Sequence, residues 1–188
     1  MKCTAFARGL VACWTLVAAG WAVADEALWK LLQGGGQVVM VRHALTDPGV
    51  GDPEGMKLED CATQRNLNDK GRAEAARLAE ALRSRRVPVA GVLSSPWCRA
   101  LESAKLVTGR AAQVETALGN VFDRPERSPR QVAELRKLVQ RPRQGNLFLF
   151  THGSTTLALT GVSPGTSEMV ILTPQDSGFR VAGRLSAP

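Results

Sequence analysis

The chain has 188 residues, of which 44% are hydrophobic and 22% are charged, a composition that suits one domain with a single apolar core. Its formal net charge is +7, but only 5% of its residues are aromatic. A nucleic-acid-binding protein more often carries a dense basic stripe interleaved with aromatic residues, so the composition argues against a nucleic-acid partner. The small excess of positive charge would instead attract anionic substrates.

The first 24 residues have the layout of a secretory signal peptide. Lys2 and Arg8 precede an uncharged stretch, which closes on the small residues Ala22-Val23-Ala24 just before the acidic pair that begins at Asp25. That order of charge, apolar stretch and cleavage pattern is typical of exported proteins. We therefore predict cleavage after Ala24 and a periplasmic or secreted location.

Two other interpretations of this segment are weaker. The uncharged stretch is shorter than the roughly 20 apolar residues that a membrane-spanning helix needs. Lipid attachment at Cys13 is disfavoured because Arg8 leaves almost no apolar region before that cysteine. We expect residues 25–188 to form one domain without stable membrane insertion, and the sequence does not indicate an oligomeric state.

From residue 37 onward the hydrophobic pattern predicts alternating strands and helices. Gln37–Val41 is a short valine-rich run typical of a buried strand, and Gly49–Asp60 is a loop rich in glycine and proline. A helix is predicted to begin after the N-cap residue Asn68 and to end before Pro88.

The second half of the chain continues this alternation. The predicted strands are Val89–Ser95, Ala112–Leu118 as a candidate third strand, Asn146–Phe150, Glu168–Pro174 and Phe179–Leu185, and the predicted helices are Pro96–Gly109, Ser128–Gln140 and Thr151–Gly161. Alternating strands and helices indicate an α/β fold in which helices cover both faces of the sheet.

Polar residues gather where three of the predicted strands end. Arg42 and His43 follow the first strand, Ser94-Ser95 ends the second with Arg99 one turn later, and His152 follows the strand that ends at Phe150. In open α/β sheets, ligands bind outside the carboxyl ends of the strands. We therefore expect these side chains, which include both histidines of the chain, to meet in one pocket.

Two arginines and two histidines suit a phosphate group. Guanidinium groups match phosphate oxygens, one imidazole can attack phosphorus while the other donates to an oxygen, and a helix beginning at Gly153 or Ser154 would direct N–H groups at the anion. Each residue alone also has an ordinary structural interpretation; Arg99, for example, would usually form a surface ion pair with Glu102. The prediction depends on their joint occurrence.

The two cysteines outside the predicted signal peptide are expected to form a disulfide. Cys61 and Cys98 are a single pair in a chain bound for an oxidising compartment, and both should lie near the rim of the pocket. Two separate buried thiols are the alternative. With no CxxC motif and no cluster of cysteine and histidine, the sequence does not support a zinc site.

Five segments of the sequence resemble the histidine phosphatase superfamily, which includes the phosphoglycerate-mutase-like enzymes. They are "VRHA", "RNLNDKGRAEA", "LSSPWCRALESAKL", "FTHGSTTLALTG" and "SEMVIL", and they extend over Gln37–Leu172. The resemblance implies a three-layer α/β/α sandwich with a mostly parallel sheet, and a phosphohistidine mechanism without a metal or other cofactor.

On that pattern His43 is the nucleophile, and Arg42, Arg99 and His152 form the phosphate pocket. Thr46 falls where the family often has a hydroxyl residue that helps to hold the phosphate. The resemblance has departures: Ala44 replaces the glycine of the usual Arg-His-Gly triplet. The second histidine is not followed by aspartate, which fits the acid-phosphatase and phytase branch poorly.

The residue that protonates the leaving group is not evident from the pattern. Asp123 is our first choice for this general acid, with Asp47 and Glu126 as alternatives, and an ion pair of Asp123 with a neighbouring arginine is an equally ordinary interpretation. Glu168 is expected to support the pocket at the substrate-binding side. We expect the nucleophilic histidine to be neutral and His152 to be an imidazolium.

The sequence thus predicts a periplasmic phosphatase that hydrolyses phosphate monoesters, with sugar phosphates or phosphorylated groups of lipopolysaccharide as candidate substrates. A phosphohistidine phosphatase is the alternative within the enzymes. A phosphoryl-ligand-binding envelope protein without turnover is the alternative outside them.

Overall fold

The structure, a computed structural model, describes residues 25–122, 124–141 and 144–186. The predicted signal peptide and Asp123 lie outside these described residues. The strands are β1 Val38–Arg42, β2 Val89–Ser94, β3 Gln113–Val114, β4 Asn146–Thr151, β5 Met169–Gln175 and β6 Gly178–Leu185. The α-helices are α1 (residues 25–34), α2 Asp69–Ser84, α3 Cys98–Thr108, α4 Ser128–Val139 and α5 Gly153–Thr160.

The six described strands form one sheet in the order β3-β2-β4-β1-β5-β6. β1, β2, β3 and β4 pair in parallel, and β5 and β6 join the far side of β1 as antiparallel strands. The sheet is mostly parallel, as the sequence predicted. Its centre is β1, between β4 and β5, which explains why that run of valines and methionine has no polar position.

Helices cover both faces of the sheet. Val39 and Val41 of β1 pack with α1, α2 and α3, and Val38 and Met40, which point to the opposite face, pack with α4 and α5. The predicted three-layer α/β/α sandwich is therefore confirmed. In the part of the chain that the structure describes, no helix is long and apolar enough to cross a membrane.

Two elements differ from the sequence prediction. The candidate third strand shrinks to Gln113–Val114, and Thr116–Leu118 forms a 3-10 helix whose first turn is capped by Glu115. Ala117 and Leu118 are buried under α4 and not at the sheet edge, so their apolar character reflects packing between layers. Helix α1 was not predicted from the sequence; it is fixed by burial of Trp29 and Leu32 against α2 and β6.

The start of α2 holds the segment that follows β1 close to the sheet. The Asn68 side chain accepts a hydrogen bond from the Gly71 N–H at 2.8 Å, which confirms the predicted N-cap. A Cβ at Gly71 would overlap the Leu45 carbonyl, so only glycine allows this helix to approach so closely. The chain is thus held against α2 at Leu45, two residues after His43.

Candidate active site

Three neighbouring strand ends bring the predicted residues together. β2, β4 and β1 are adjacent, the Ser95 N–H donates to the Phe150 carbonyl at 2.9 Å, and the His43 N–H donates to the Thr151 carbonyl at 3.0 Å. The side chains that follow these strands therefore meet at one edge of the sheet. Six of the predicted residues line a single cavity of about 380 Å³, namely Arg42, His43, Arg99, His152, Gly153 and Ser154.

The two histidine rings lie edge to face across the floor of this cavity. Their centroids are 5.3 Å apart, and His43 and His152 are only 4% and 2% exposed. His43 Nδ1 lies 2.9 Å from the Ala44 carbonyl oxygen. Because a carbonyl can only accept, Nδ1 carries the hydrogen and Nε2 holds the free lone pair.

Both histidines are neutral in the unliganded site. Burial lowers the pKa of His43 to about 3; the hydrogen bond to Ala44 opposes this shift, and the charges of Arg99, Arg42 and Arg65 add to it. Burial also lowers the pKa of His152 well below its ordinary value, with further contributions from His43 and the same arginines. The expectation of an imidazolium at His152 concerns the complex with a phosphoryl group and stays a prediction.

Arg42 lies between a loop carbonyl and the start of α5. Its Nη1 donates to the Pro164 carbonyl at 2.9 Å, which fixes one end of the guanidinium group. Gly153 packs flat against the other end, since a Cβ there would lie 3.4 Å from Arg42 Nε. Because Gly153 has no side chain, the N-terminus of α5 and the guanidinium group of Arg42 can both line the cavity.

Arg99 has a partner that the sequence analysis did not identify. Its Nη1 and Nη2 donate to the two carboxylate oxygens of Asp52 at 2.5 and 3.0 Å, and both side chains are almost fully buried. Glu102, the partner expected from helix spacing, instead pairs with Arg72 at 2.8 Å. The guanidinium group of Arg99 is therefore anchored from behind by a carboxylate.

Asp52 also holds its own loop against the cavity wall. Its carboxylate accepts from Trp97 Nε1 at 2.9 Å and from the Arg65 N–H at 3.2 Å. Burial raises the pKa of Asp52, but the hydrogen bonds and charge of Arg99, with these two donors, leave the pKa below its ordinary value. The residue is ionised at neutral pH. In the sequence, the only indication of this role was an acidic residue within the loop rich in glycine and proline.

Three buried nitrogen atoms of the cavity residues have no hydrogen-bond partner among the described residues. Within residues 25–122, 124–141 and 144–186, neither Arg42 Nε, Arg99 Nε nor His152 Nδ1 has a hydrogen-bond partner. Buried polar groups are nearly always paired, and a buried guanidinium N–H can be satisfied only by an acceptor. The arrangement is that of a site for an anion with several oxygen atoms.

The N-terminus of α5 forms another wall of the cavity. Gly153 and Ser154 line it, and no side chain caps the helix, so its first N–H groups can face an anion. The Ser154 hydroxyl donates to Asn120 Oδ1 at 2.7 Å. Asn120 lines the cavity too, but it follows the segment mistaken for a strand, so its position was not predictable.

Comparison with known proteins supports this geometry. Residues 38–119, which include β1, β2 and α3, match the model of the histidine phosphatase superfamily, branch 1. This segment of the chain is therefore similar to the histidine phosphatase superfamily. A comparison with curated protein sequences gives no significant match.

Solved structures share the fold of this protein at low sequence identity. The protein histidine phosphatase SixA complexed with tungstate is 19% identical, with a TM-score of 0.58 over 80% of this chain and 97% of that one. A mycobacterial glucosyl-3-phosphoglycerate phosphatase complexed with VO3 is 20% identical, with a TM-score of 0.60 over 81% and 100%. A putative phosphohistidine phosphatase SixA from Agrobacterium tumefaciens is 21% identical, with a TM-score of 0.53 over 82% and 99%.

Two residues predicted on the substrate-binding side lie behind the wall of the cavity. Thr46 is buried, and its carbonyl accepts from Asn68 Nδ2 at 2.9 Å. Glu168 accepts from the Gly165 N–H at 2.6 Å and from Arg184 Nε at 2.7 Å. The same loop carries the Pro164 carbonyl, which accepts from Arg42. Glu168 therefore positions Arg42 through this loop and does not line the cavity.

No described carboxylate lines the cavity. Asp47 is exposed in the loop after β1, and Glu126 lines a separate cavity of about 780 Å³ beside α4. Asp123, the first choice for the general acid, lies outside the described residues. The described chain also has no group of three or more His, Cys, Asp or Glu side chains that could hold a metal ion.

Cys61 and Cys98 are joined by a disulfide, as predicted, with their Cα atoms 5.7 Å apart. Cys98 immediately precedes Arg99, and its N–H donates to Gln64 Oε1 at 3.0 Å. The bond therefore connects the start of α3, which carries a cavity arginine, with the end of the loop that supplies Asp52.

Proposed function

We propose that the protein is a phosphatase that hydrolyses phosphate monoesters through a covalent phosphohistidine at His43 Nε2. The observation that carries this proposal is the set of buried nitrogen atoms without partners beside a neutral His43. Arg42 Nε, Arg99 Nε and His152 Nδ1 lack partners among the described residues, and an ester phosphate has three oxygens for them.

The first chemical step forms the bond from nitrogen to phosphorus. The lone pair on His43 Nε2 attacks phosphorus, the ester P–O bond breaks, and its electron pair leaves on the oxygen of the alcohol, which then takes a proton. Because its Nδ1–H is held by the Ala44 carbonyl, the ring presents the same nitrogen throughout. The low pKa of His43 keeps the lone pair available at neutral pH.

The second step returns the histidine. Water attacks phosphorus in line with the phosphohistidine, the N–P bond breaks, and its electron pair returns to Nε2. The proton lost by the water leaves with phosphate or solvent. Throughout both steps the charge on the phosphoryl oxygens is stabilised by the two guanidinium groups and by the α5 N-terminus.

His152 responds to the charge of the substrate. Burial, His43 and the nearby arginines lower the pKa of His152, so the ring is neutral before substrate binds. A phosphate dianion next to Nδ1 favours the charged form, so substrate binding raises the pKa of His152 and allows it to donate to a phosphoryl oxygen. The neutral His43 and the charged His152 predicted from the sequence are therefore the protonation states proposed for the complex with substrate.

Export is part of the proposal. The signal-peptide pattern of residues 1–24 supports a periplasmic location, and the disulfide is of the kind that persists in an oxidising compartment. The substrates would then be phosphate monoesters outside the cytoplasm, with sugar phosphates and phosphorylated groups of lipopolysaccharide among the candidates.

Phosphohistidine hydrolysis is the second candidate activity. It is favoured by the lack of a carboxylate in the described cavity lining, because an imidazole leaving group can depart without a carboxyl acid to protonate it. Two of the similar structures are named as SixA, one a protein histidine phosphatase and one a putative phosphohistidine phosphatase. Relative kcat/KM values for phosphohistidine and for an alkyl phosphate would separate the two activities.

The test uses p-nitrophenyl phosphate with the protein expressed from the full-length sequence. We expect turnover that resists EDTA, a large loss in Arg42→Ala, and near-normal turnover in Arg72→Ala, whose guanidinium group pairs with Glu102 at the surface. Tight binding of phosphate without turnover would contradict the proposal and support a phosphoryl-ligand-binding protein.

A further inference from the structure

Large apolar side chains form the rim of the phosphate cavity. Six large hydrophobic side chains of the described chain are exposed, and three of them line this one cavity: Val50, Phe122 and Leu157, which are 84%, 58% and 47% exposed. Apolar side chains that cluster around a polar pocket mark a binding surface more often than scattered surface residues do. We call these three residues the apolar rim.

The rim is tied to the phosphate-binding groups. Leu157 lies four residues after Gly153 on α5, so its side chain is on the same face of the helix, one turn from the phosphate end. The Phe122 N–H donates to Asn120 Oδ1 at 3.1 Å, and that same oxygen accepts from Ser154 at 2.7 Å. Two of the three rim residues are therefore anchored to the start of α5.

A second cavity shares Asn120 with the phosphate cavity and has a volume of about 560 Å³. Its lining is mixed: the apolar residues Pro53, Met56, Leu58 and Trp97 stand beside the charged residues Asp52, Lys57, Glu59, Arg124 and Arg127. The apolar rim, and not this mixed cavity, is thus the apolar surface offered to a group attached to a bound phosphate.

We infer that the substrate is a phosphate monoester whose alcohol portion is an apolar alkyl or aryl group of several carbons. This inference rests on the proposed phosphatase function and narrows its substrate class. The positive charge of the cavity complements the phosphate, and the apolar rim complements the alcohol portion. A sugar would instead place hydroxyl groups against apolar side chains, where their hydrogen bonds to water are lost without replacement.

Straight-chain alkylphosphonates from ethyl to octyl test the inference without turnover, because their C–P bond is not hydrolysed. Affinity is measured by titration calorimetry at neutral pH, below micelle-forming concentrations, and turnover of p-nitrophenyl phosphate is measured on the same preparations. A fully buried methylene changes an equilibrium by about fourfold, so partial burial at the rim should give about twofold for each added methylene. We expect octylphosphonate to bind at least thirtyfold more tightly than ethylphosphonate.

Two leucines provide a matched pair of variants. Leu157 on α5 belongs to the rim, and Leu106 on α3 is also exposed, at 38%, but lies outside both cavities. Leu157→Ser should reduce the ratio of octyl to ethyl affinity to less than about tenfold, whereas Leu106→Ser should leave that ratio unchanged. Phe122→Ser should act like Leu157→Ser.

Equal affinity for all chain lengths, in a protein that turns over p-nitrophenyl phosphate, would overturn the apolar substrate class and leave the phosphatase function standing. An equal effect of Leu157→Ser and Leu106→Ser would also overturn it. A protein that neither binds any phosphonate nor turns over p-nitrophenyl phosphate would contradict the proposed function and, with it, this inference.

Discussion

One side of the phosphate cavity consists of paired strand ends and the other of loops, and the two sides depend on different interactions. At the strand ends, Arg42 pairs with Thr151 in the parallel ladder, so the next residues of both strands, the two histidines, are placed by the register of the sheet. At the loops, Asp52 and the Cys61–Cys98 disulfide hold the chain by contacts between individual side chains. The strand ends should therefore tolerate the loss of any one loop contact.

The disulfide is the strongest contact on the loop side. Its half-cystines are 37 residues apart, and closing a loop of that length in the unfolded chain corresponds to about 4 kcal/mol. We expect the double variant Cys61→Ser/Cys98→Ser to lose about that much unfolding free energy, measured by urea titration, with a smaller effect on kcat.

Thiol titration of the unreduced, denatured protein provides the control. Two free thiols would contradict the disulfide. A variant that loses stability and turnover in equal proportion would show that the loop also sets the geometry of the strand ends.

Acid pH should destabilise the strand-end side through His43. Its pKa is about 3 in the folded protein, so between the ordinary value of 6.5 and that value the unfolded chain binds the proton and the folded chain does not. The part of the unfolding free energy that depends on neutral His43 is thus fully present above pH 6.5 and is lost as the pH falls toward 3. Between pH 7 and pH 4 the wild type should lose about 3 kcal/mol more than His43→Gln.

Urea titrations of both proteins at several pH values check this expectation. Parallel loss of stability in the wild type and in His43→Gln would contradict a neutral, buried histidine at this position.

Asp52→Asn should weaken the loop side of the cavity by removing a single ion pair, the one between Asp52 and Arg99. Removing one partner of a buried ion pair leaves Arg99 without its compensating charge, which costs about 3 kcal/mol of stability. Since the pKa of Asp52 is lowered in the folded state, the difference from wild type is present above about pH 4 and disappears as the pH falls through that lowered pKa.

The matched control is Asp47→Asn, an exposed carboxylate in the same loop. We expect a raised KM in Asp52→Asn, because Arg99 loses the contact that orients it, and no change in Asp47→Asn. Equal melting temperatures for Asp52→Asn and wild type would contradict the anchoring of Arg99.

Asp123→Asn tests the residue that is our first choice for the general acid on sequence grounds. An alkoxide leaving group needs a proton and p-nitrophenoxide does not, so the variant should lose about a hundredfold in kcat on an alkyl phosphate, equal to about 2.7 kcal/mol, and little on p-nitrophenyl phosphate. Glu126→Gln, which alters a carboxylate of a separate cavity, is the control. Equal losses on both substrates would exclude this role for Asp123.

The contrast between the two sides also explains what the sequence could predict. Strand ends follow from hydrophobic runs, and neighbouring parallel strands end at the same edge of a sheet, so the convergence of Arg42, His43 and His152 was predictable. The pairing of Arg99 with Asp52 depends on how a loop between residues 47 and 66 folds back, which no periodic pattern describes. Asn120 was missed for the same reason, because its segment is held by hydroxyl groups of β4 and α5.

Short apolar stretches misled the secondary-structure prediction where packing between layers replaced pairing in the sheet. Ala117 and Leu118 have the composition of a strand, but they fill the space under α4 and lie in a 3-10 helix. The N-cap at Asn68 and the glycine that ends α5, by contrast, act through local hydrogen bonds and backbone geometry, and both were predicted correctly.

The central claim, that His43 carries the phosphoryl group, is tested most directly by trapping the intermediate. The protein is mixed with a ³²P-labelled phosphate monoester, quenched rapidly without acid, digested, and mapped for a label that is stable in alkali and labile in acid. We predict that the label lies on the peptide containing His43, that it is lost in His43→Ala with at least a thousandfold drop in turnover, and that slow labelling persists in His152→Ala. A label on His152, or near-normal turnover in His43→Ala, would contradict the account.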